Sequence, residues 1–148
     1  MADLTLTITE SITLNSVDQG GTTTKTFSSI GHTSKRIVTC PASNTTTLLT
    51  FNTNVYGAAG AIDLEDTKYI RITNLDSANT LELAIVGTAT LYQISLRAGQ
   101  SHLISDPDNF MLAEADTSPS FGSMADIVTI QANPGGDNIK LEVFTAGT

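Results

Sequence analysis

From Leu4 to Leu14 the even positions read Leu4, Leu6, Ile8, Glu10, Ile12 and Leu14, and the odd positions read Thr5, Thr7, Thr9, Ser11 and Thr13. Side chains alternate between the two faces of an extended strand, so this period of two predicts a strand over 4–14, apolar on one face and hydroxylated on the other. A helix, with its period of 3.6, does not produce it.

Shorter runs of the same kind follow. Thr22–Ile30 reads as a polar strand after a turn at Gln19-Gly-Gly21, and Ser34–Cys40 and Thr45–Asn52 read as two strands joined by Pro41-Ala-Ser-Asn44. Beyond a Gly57-Ala-Ala-Gly60 loop come Lys68–Leu75, the alternating Leu81, Leu83 and Ile85, then Tyr92, Ile94 and Leu96, and Gln100–Ile104 after the Ala98-Gly99 turn. Ile127–Ala132 and Ile139–Phe144 close the series, and the turn formers of Asn133-Pro-Gly-Gly-Asp-Asn138 predict a hairpin loop between them. Only Asp106–Glu114 has a helical aspect, with an Asp cap, Pro107 in the first turn and Phe110, Met111 and Ala115 inward; Ala115–Ser123 reads as a surface loop. The pattern predicts an all-β fold, a jelly-roll-like β-sandwich with at most one short helical insert; an immunoglobulin-like sandwich is the alternative topology.

Composition narrows the class. The 148 residues fit one sandwich domain over 1–148, a size at which a core forms without disulfide or metal staples. Thr is the commonest residue, aromatics make up 5 % and Trp is absent. The lone Cys40, in an apolar strand, reads as a buried structural thiol. With 7 basic and 15 acidic side chains the net charge is −8, which repels a polyanion and argues against a nucleic-acid partner. The single close basic pair, Lys35-Arg36, reads as solvated strand surface. The first residues lack the basic and apolar regions of a secretory signal, and no apolar run approaches the ~20 residues of a membrane helix. The expectation is therefore a soluble protein with no membrane contact.

Candidate chemistry is sparse. Arg97-Ala-Gly-Gln-Ser-His102 has the outline of a cupin metal strand, but the second His is missing, since position 104 is Ile. Ser101, His102 and Asp106 fail as a triad, because adjacent strand residues point to opposite faces. The acidic clusters Asp63-Leu-Glu-Asp66 and Asp106-Pro-Asp-Asn109 lack the ligand spacing of a calcium loop and read as turn and cap chemistry. Gly20-Gly21 and Gly135-Gly136 are turn glycines rather than phosphate loops. No enzyme, cofactor or metal is expected.

Three segments carry a family resemblance: Lys68-Tyr-Ile-Arg-Ile-Thr-Asn-Leu-Asp76 running on to Leu83, Tyr92-Gln-Ile-Ser-Leu-Arg-Ala-Gly-Gln-Ser-His-Leu-Ile104, and Asp126-Ile-Val-Thr-Ile-Gln-Ala132 leading to Leu141-Glu-Val-Phe-Thr145. In that order they resemble small virion structural proteins of marine and cyanobacterial tailed bacteriophages, over roughly the C-terminal half of the chain. Gln100 and His102 depart from that pattern, which favours Glu and an aromatic there. The resemblance implies a capsid decoration (cement) protein: a jelly roll, trimer favoured, made in the host cytoplasm and bound to the virion surface. Its partner would be the major capsid protein, whose shell subunits it would bridge.

On that reading the N-terminal strand 4–14 completes its own sheet or is added to a neighbouring subunit. Leu4, Leu6 and Ile8 are the candidate interface residues, and Leu6→Asp is expected to abolish docking while the free protein stays folded. Rival readings are a tail, neck or baseplate subunit, or a carbohydrate-binding receptor-recognition module with Tyr56 as its stacking residue.

Overall fold

A computed structural model describes residues 1–52, 61–88, 91–108, 110 and 124–148. None of these is helical. The strands are β1 (Ala2–Glu10), β2 (Thr13–Leu14), β3 (Val17–Asp18), β4 (Gly21–Ile30), β5 (His32–Cys40), β6 (Thr46–Asn52), β7 (Ile62–Asp63), β8 (Thr67–Asn74), β9 (Leu81–Gly87), β10 (Leu91–Leu96), β11 (Ser101–Ser105), β12 (Ile127–Asn133) and β13 (Ile139–Gly147).

Two sheets pack face to face, one ordered β11-β8-β13-β5 and the other β10-β9-β12-β6-β7. All neighbours are antiparallel except the short β6–β7 pair. Along the chain from β5 the strands pass repeatedly from one sheet to the other, and among the described residues only β9 and β10 are consecutive antiparallel neighbours within a sheet. Two antiparallel sheets wound in this alternating order are a jelly roll, which removes the immunoglobulin-like alternative.

The winding corrects one expectation. Asn133–Asn138 is not a hairpin loop, since β12 and β13 lie in different sheets. Its turn residues carry the chain across the end of the sandwich, beside the β5–β6 crossing. There the Asn138 carboxamide accepts from the Ala42 amide at 2.8 Å, and the Gly135 carbonyl accepts from the Ser43 hydroxyl at 3.3 Å.

Inward positions supply the core. Ile70, Ile72, Leu83, Ile85, Ile130, Ile139 and Leu141 are fully buried between the sheets. At about 25 cal/mol per Å² of apolar surface, burial of such side chains contributes roughly 1.5–3 kcal/mol each. Cys40 belongs to this core, where burial pushes its thiol pKa up against the opposing hydrogen bond with Thr46.

Asn74, also fully buried, ends β8. Its carboxamide donates to the Asn79 and Leu96 carbonyls at 2.9 and 3.0 Å and accepts from the Asp76 amide at 2.9 Å. The Asp76 carboxylate accepts from the amides of Asn79 and Ala78, which hold its pKa down. The Asn74–Asp76 turn is thus built as its residue types require. Gly99, at φ +72°, makes the bend before Gln100.

The helical reading of Asp106–Glu114 meets a non-helical start, Asp106 standing in the left-handed region at φ +47°. Asn109 and residues 111–114 lie outside the described residues, as do the 57–60 loop, Tyr56, and Ala115–Ser123.

Candidate interaction site

β1 and β4 belong to neither sheet. They form a separate antiparallel ribbon, in register from Leu4↔Phe27 to Glu10↔Gly21. Thr side chains fill rungs on one face, where Thr7 and Thr24 hydroxyls lie 3.4 Å apart and Thr22 donates to Thr9 at 3.4 Å. The opposite face carries Leu4, Leu6, Ile8 and Phe27, the apolar positions of the sequence alternation.

The 4–14 strand is shorter than its pattern. The ladder stops at Glu10, and Thr13–Leu14 pairs instead with Val17–Asp18 in a small terminal hairpin. The chain reverses at Asn15 and Ser16, both at positive φ (51° and 64°), and not at Gln19–Gly21. Two left-handed residues between paired strands match the twist of a hairpin, and Asn adopts that conformation readily. The Gln19 amide donates to the Ile12 carbonyl at 2.9 Å and the Asp18 carboxylate accepts from the Gly20 amide at 2.9 Å, which holds the tip together. A Cβ on Gly20 would come 2.1 Å from the Glu10 carbonyl oxygen, so only glycine fits where the strands pinch.

At its base the ribbon docks on the outer face of the β5-containing sheet. Phe27, Ile30, Tyr69 and Ala146 are buried there, with Leu4, Leu6 and Phe144 packed around them. The Phe27 and Phe144 rings flank Tyr69 at 5.9 and 6.0 Å, within the range of favourable aromatic pairs. Phe27 and Ile30 share a face although three residues apart, because β4 carries one extra residue opposite Ala2–Leu4. Ser29, at φ +64°, is the left-handed residue of that bulge.

Beside this contact lies an ion network. The Glu142 carboxylate accepts from Arg71 at 2.6 Å and from Lys35 at 3.1 Å, and the Lys35 and Arg71 hydrogen bonds hold its pKa below the ordinary value. A groove of about 250 Å³ runs between Leu4 and Leu6 on the ribbon and Lys35, Arg71 and Phe144 on the sheet.

The structure therefore divides the three candidate interface residues. Leu4 and Leu6 are half-buried against their own subunit, whereas Ile8, 50 % exposed, lies beyond the docked region. The free end carries Ile12, Leu14 and Val17, exposed by 55, 59 and 55 %.

A second feature opens at the β5 edge, between the sheets. Inward positions of β5 alternate His32, Ser34, Arg36, Val38, Cys40, so the strand is polar for half its length where the sandwich interior is otherwise apolar. With Asp63 and Asp66 opposite, and Leu49, Ile62 and Val143 as its apolar floor, this half lines a cleft of about 470 Å³. The Asp63 carboxylate accepts from the Glu65 amide at 3.1 Å and the Asp66 amide at 3.4 Å, the turn chemistry read from the sequence. Lys35-Arg36 is not simply solvated surface: Lys35 pairs with Glu142, and the Arg36 guanidinium turns inward and donates to the Leu48 carbonyl. That carbonyl stands at a bulge, where the β6–β12 register shifts between Ile130 and Gln131.

His102 faces inward and Ser101 outward, so the two do not meet. The Ser101 hydroxyl lies 2.8 Å from that of Thr73, and His102 Nε2 lies 3.2 Å from the Tyr92 hydroxyl. Among the described residues, no group of three or more His, Cys, Asp or Glu is placed to hold a metal ion.

Sequence reasoning missed the tip hairpin and the inward Arg36. Both had a signal: Asn15-Ser16 is a polar pair between Leu14 and Val17, and Arg36 shares the parity of Val38 and Cys40. No protein-family model and no curated protein matches the chain.

Proposed function

We propose that this protein is a virion structural protein, a capsid decoration (cement) protein that binds the outer surface of a tailed-phage head and bridges shell subunits. The observation that carries the reading is the β1–β4 ribbon. It is held to the jelly roll at one end and presents Ile8, Ile12, Leu14 and Val17 at the other. A subunit that ties neighbours together needs a rigid body and an element reaching beyond it, and a ribbon built on a sandwich supplies both.

Three further features support the reading. The family resemblance of the segments on β8, β10–β11 and β12–β13 falls on strands of the two sheets. The net charge of −8 keeps free subunits apart before assembly. The buried side-chain nitrogen and oxygen atoms of the described residues all have partners, as a structural core requires and as a site poised for chemistry often does not.

The test is to label the protein on purified particles and locate it by electron microscopy. Label spread over the head supports decoration, and label at one vertex or on the tail moves the protein to a connector, tail or baseplate position. Ile8→Asp separates docking from folding better than Leu6→Asp, because Ile8 makes none of the packing contacts of the ribbon base. The variant is expected to fold and to lose particle binding; full particle binding by the folded variant would exclude the ribbon face as the docking element.

A further inference from the structure

We infer that the cleft between β5 and β7 binds an aliphatic primary ammonium group, the chemistry shared by the end of a lysine side chain and a free alkylamine. The site belongs to the free protein and stands whatever position the protein takes on a particle.

The cleft has two unlike ends. At one, His32 pairs with Gly147, Gly147 pairs with Thr67, and the Asp66 carbonyl accepts from the Thr148 amide at 2.9 Å. These contacts fix the turn that carries Asp63 and Asp66 against the start of β5. At the other end Arg36 stands opposite Val143, with its guanidinium committed to the Leu48 carbonyl. Positions 32 and 36 lie about 13 Å apart at the rise of an extended strand, more than the Debye length of about 8 Å at physiological salt. Arg36 therefore leaves the acidic end unneutralised, and the net charge of −8 draws cations toward it.

An independent observation points to a ligand there. Thr145 sits on the inner face of β13 opposite Ser34, is only 4 % exposed and lines the cleft. Its hydroxyl has no hydrogen-bond partner among the described residues, whereas their enclosed side-chain nitrogen and oxygen atoms all have one. The Thr145 hydroxyl is thus open to the cleft, an acceptor on an otherwise buried side chain. Beside it Asp66 offers its carboxylate and Asp63 its second oxygen, since the first is taken by the amides of Glu65 and Asp66.

An ammonium group has three donors and no acceptor, and Asp63, Asp66 and Thr145 supply acceptors in that number. The apolar floor of Leu49, Ile62 and Val143 suits the methylene stem behind such a group. The volume of about 470 Å³ is in the range of ligand pockets, roughly 300–1,000 Å³. Two other occupants fit less well. Among the described residues no group of three or more His, Cys, Asp or Glu is placed to hold a metal ion, and a bare ion makes no use of the floor. A sugar ring is held best against an aromatic face, and among the described residues no Phe, Tyr or Trp lines the cleft.

The experiment follows backbone amide shifts of the full chain by NMR at pH 7.5 and constant ionic strength, with n-butylammonium as the probe and n-butanol as its neutral match. Butylammonium is expected to give saturable shifts at Ser34, Asp66, Thr145 and Gly147, and butanol to give none. Asp66→Asn is expected to raise the butylammonium Kd roughly tenfold, the scale of one charge-assisted hydrogen bond. Thr145→Val is expected to weaken binding while leaving the denaturant midpoint no lower than in wild type, because the hydroxyl it removes bonds to nothing in the fold; a hydroxyl with a structural role would lower it. Nα-acetyl-lysine N-methylamide separates the sources: binding as tight as that of butylammonium supports a lysine side chain as the natural ligand, and weaker binding supports a free alkylamine. Absence of saturable shifts in the cleft, an equal response to butanol, or an unchanged Kd in folded Asp66→Asn would overturn the proposal.

Discussion

The Tyr92 hydroxyl and His102 Nε2 lie 3.2 Å apart, across the gap between β10 of one sheet and β11 of the other. Both side chains point into the sandwich, their rings meet edge to face, and Phe110 stacks beyond Tyr92 at 6.4 Å. The pair closes the edge of the sandwich opposite the cleft. Burial pushes the Tyr92 pKa up and the His102 pKa down, so the neutral form of each is favoured.

This makes the fold acid-sensitive in a defined window. The folded-state pKa of His102 lies below its ordinary 6.5, so the unfolded chain takes up a proton first as pH falls. No stability is lost from this source well above 6.5, and it is lost progressively as pH drops through 6.5 toward the depressed value. Glu142 acts lower down, because its depressed pKa brings its loss only below the ordinary 4.5. Urea titrations at pH 7.5 and 5 are expected to give a lower midpoint at pH 5, and His102→Leu is expected to shrink that difference. An unchanged difference would place the sensitivity elsewhere.

Asn74 gives a second measurable consequence. Its Nδ2 satisfies the Asn79 and Leu96 carbonyls from a fully buried position. Asn74→Ala is expected to cost about 1–3 kcal/mol for each acceptor left without a donor or water. Asn74→Asp sets a carboxylate against the same two carbonyls, which raises its pKa. Its stability deficit relative to wild type is therefore expected to be larger at pH 7 than at pH 4, where the protonated acid donates one hydrogen bond. Equal deficits at the two pH values would show that the site relaxes to admit water.

What the sequence disclosed and what it hid follow from range. The strands of the sandwich were legible because alternation is local: Ile70 and Ile72 face in and Tyr69, Arg71 and Thr73 face out, as their parity requires. The Asn74–Asp76 turn was legible for the same reason. The partner of each strand was not, because pairing is decided by residues far apart in the chain. Asn133–Asn138 has hairpin chemistry and serves a crossing, since Ile130 pairs with Ile85 and Leu49 while Leu141 pairs with Val38 and Asn74. The alternation of β1 marked Leu4, Leu6 and Ile8 as one face, but it could not tell that two of them lie on their own subunit.

The bulge in β4 offers a local test of that docking. Ser29 holds a left-handed conformation that costs an L residue about 1–2 kcal/mol and a glycine almost nothing. A β-branched residue tolerates it least. Ser29→Gly is expected to leave the ribbon at least as protected from hydrogen exchange as in wild type. Ser29→Val is expected to weaken protection at β1 and β4, with β8 and β13 unchanged. Equal protection of the ribbon in both variants would mean that the bulge is not what brings Phe27 and Ile30 to one face.

Phe27 decides whether the ribbon is a separate cooperative unit. Its side chain is buried against Tyr69, yet it belongs to a cluster distinct from the main core between the sheets. Truncation of a buried Phe to Ala costs roughly 3–5 kcal/mol in a close-packed site. A two-stranded ribbon has little other packing to offset a loss of that size, whereas the two sheets do not share it. Phe27→Ala is therefore expected to release the ribbon, with exchange in β1 and β4 approaching that of an open chain while β8, β9, β12 and β13 stay protected. The denaturant midpoint read on the sandwich core should move little. If the whole protein loses protection together, the ribbon is part of a single folding unit, and the docked base then stabilises the sandwich as much as the sandwich anchors it.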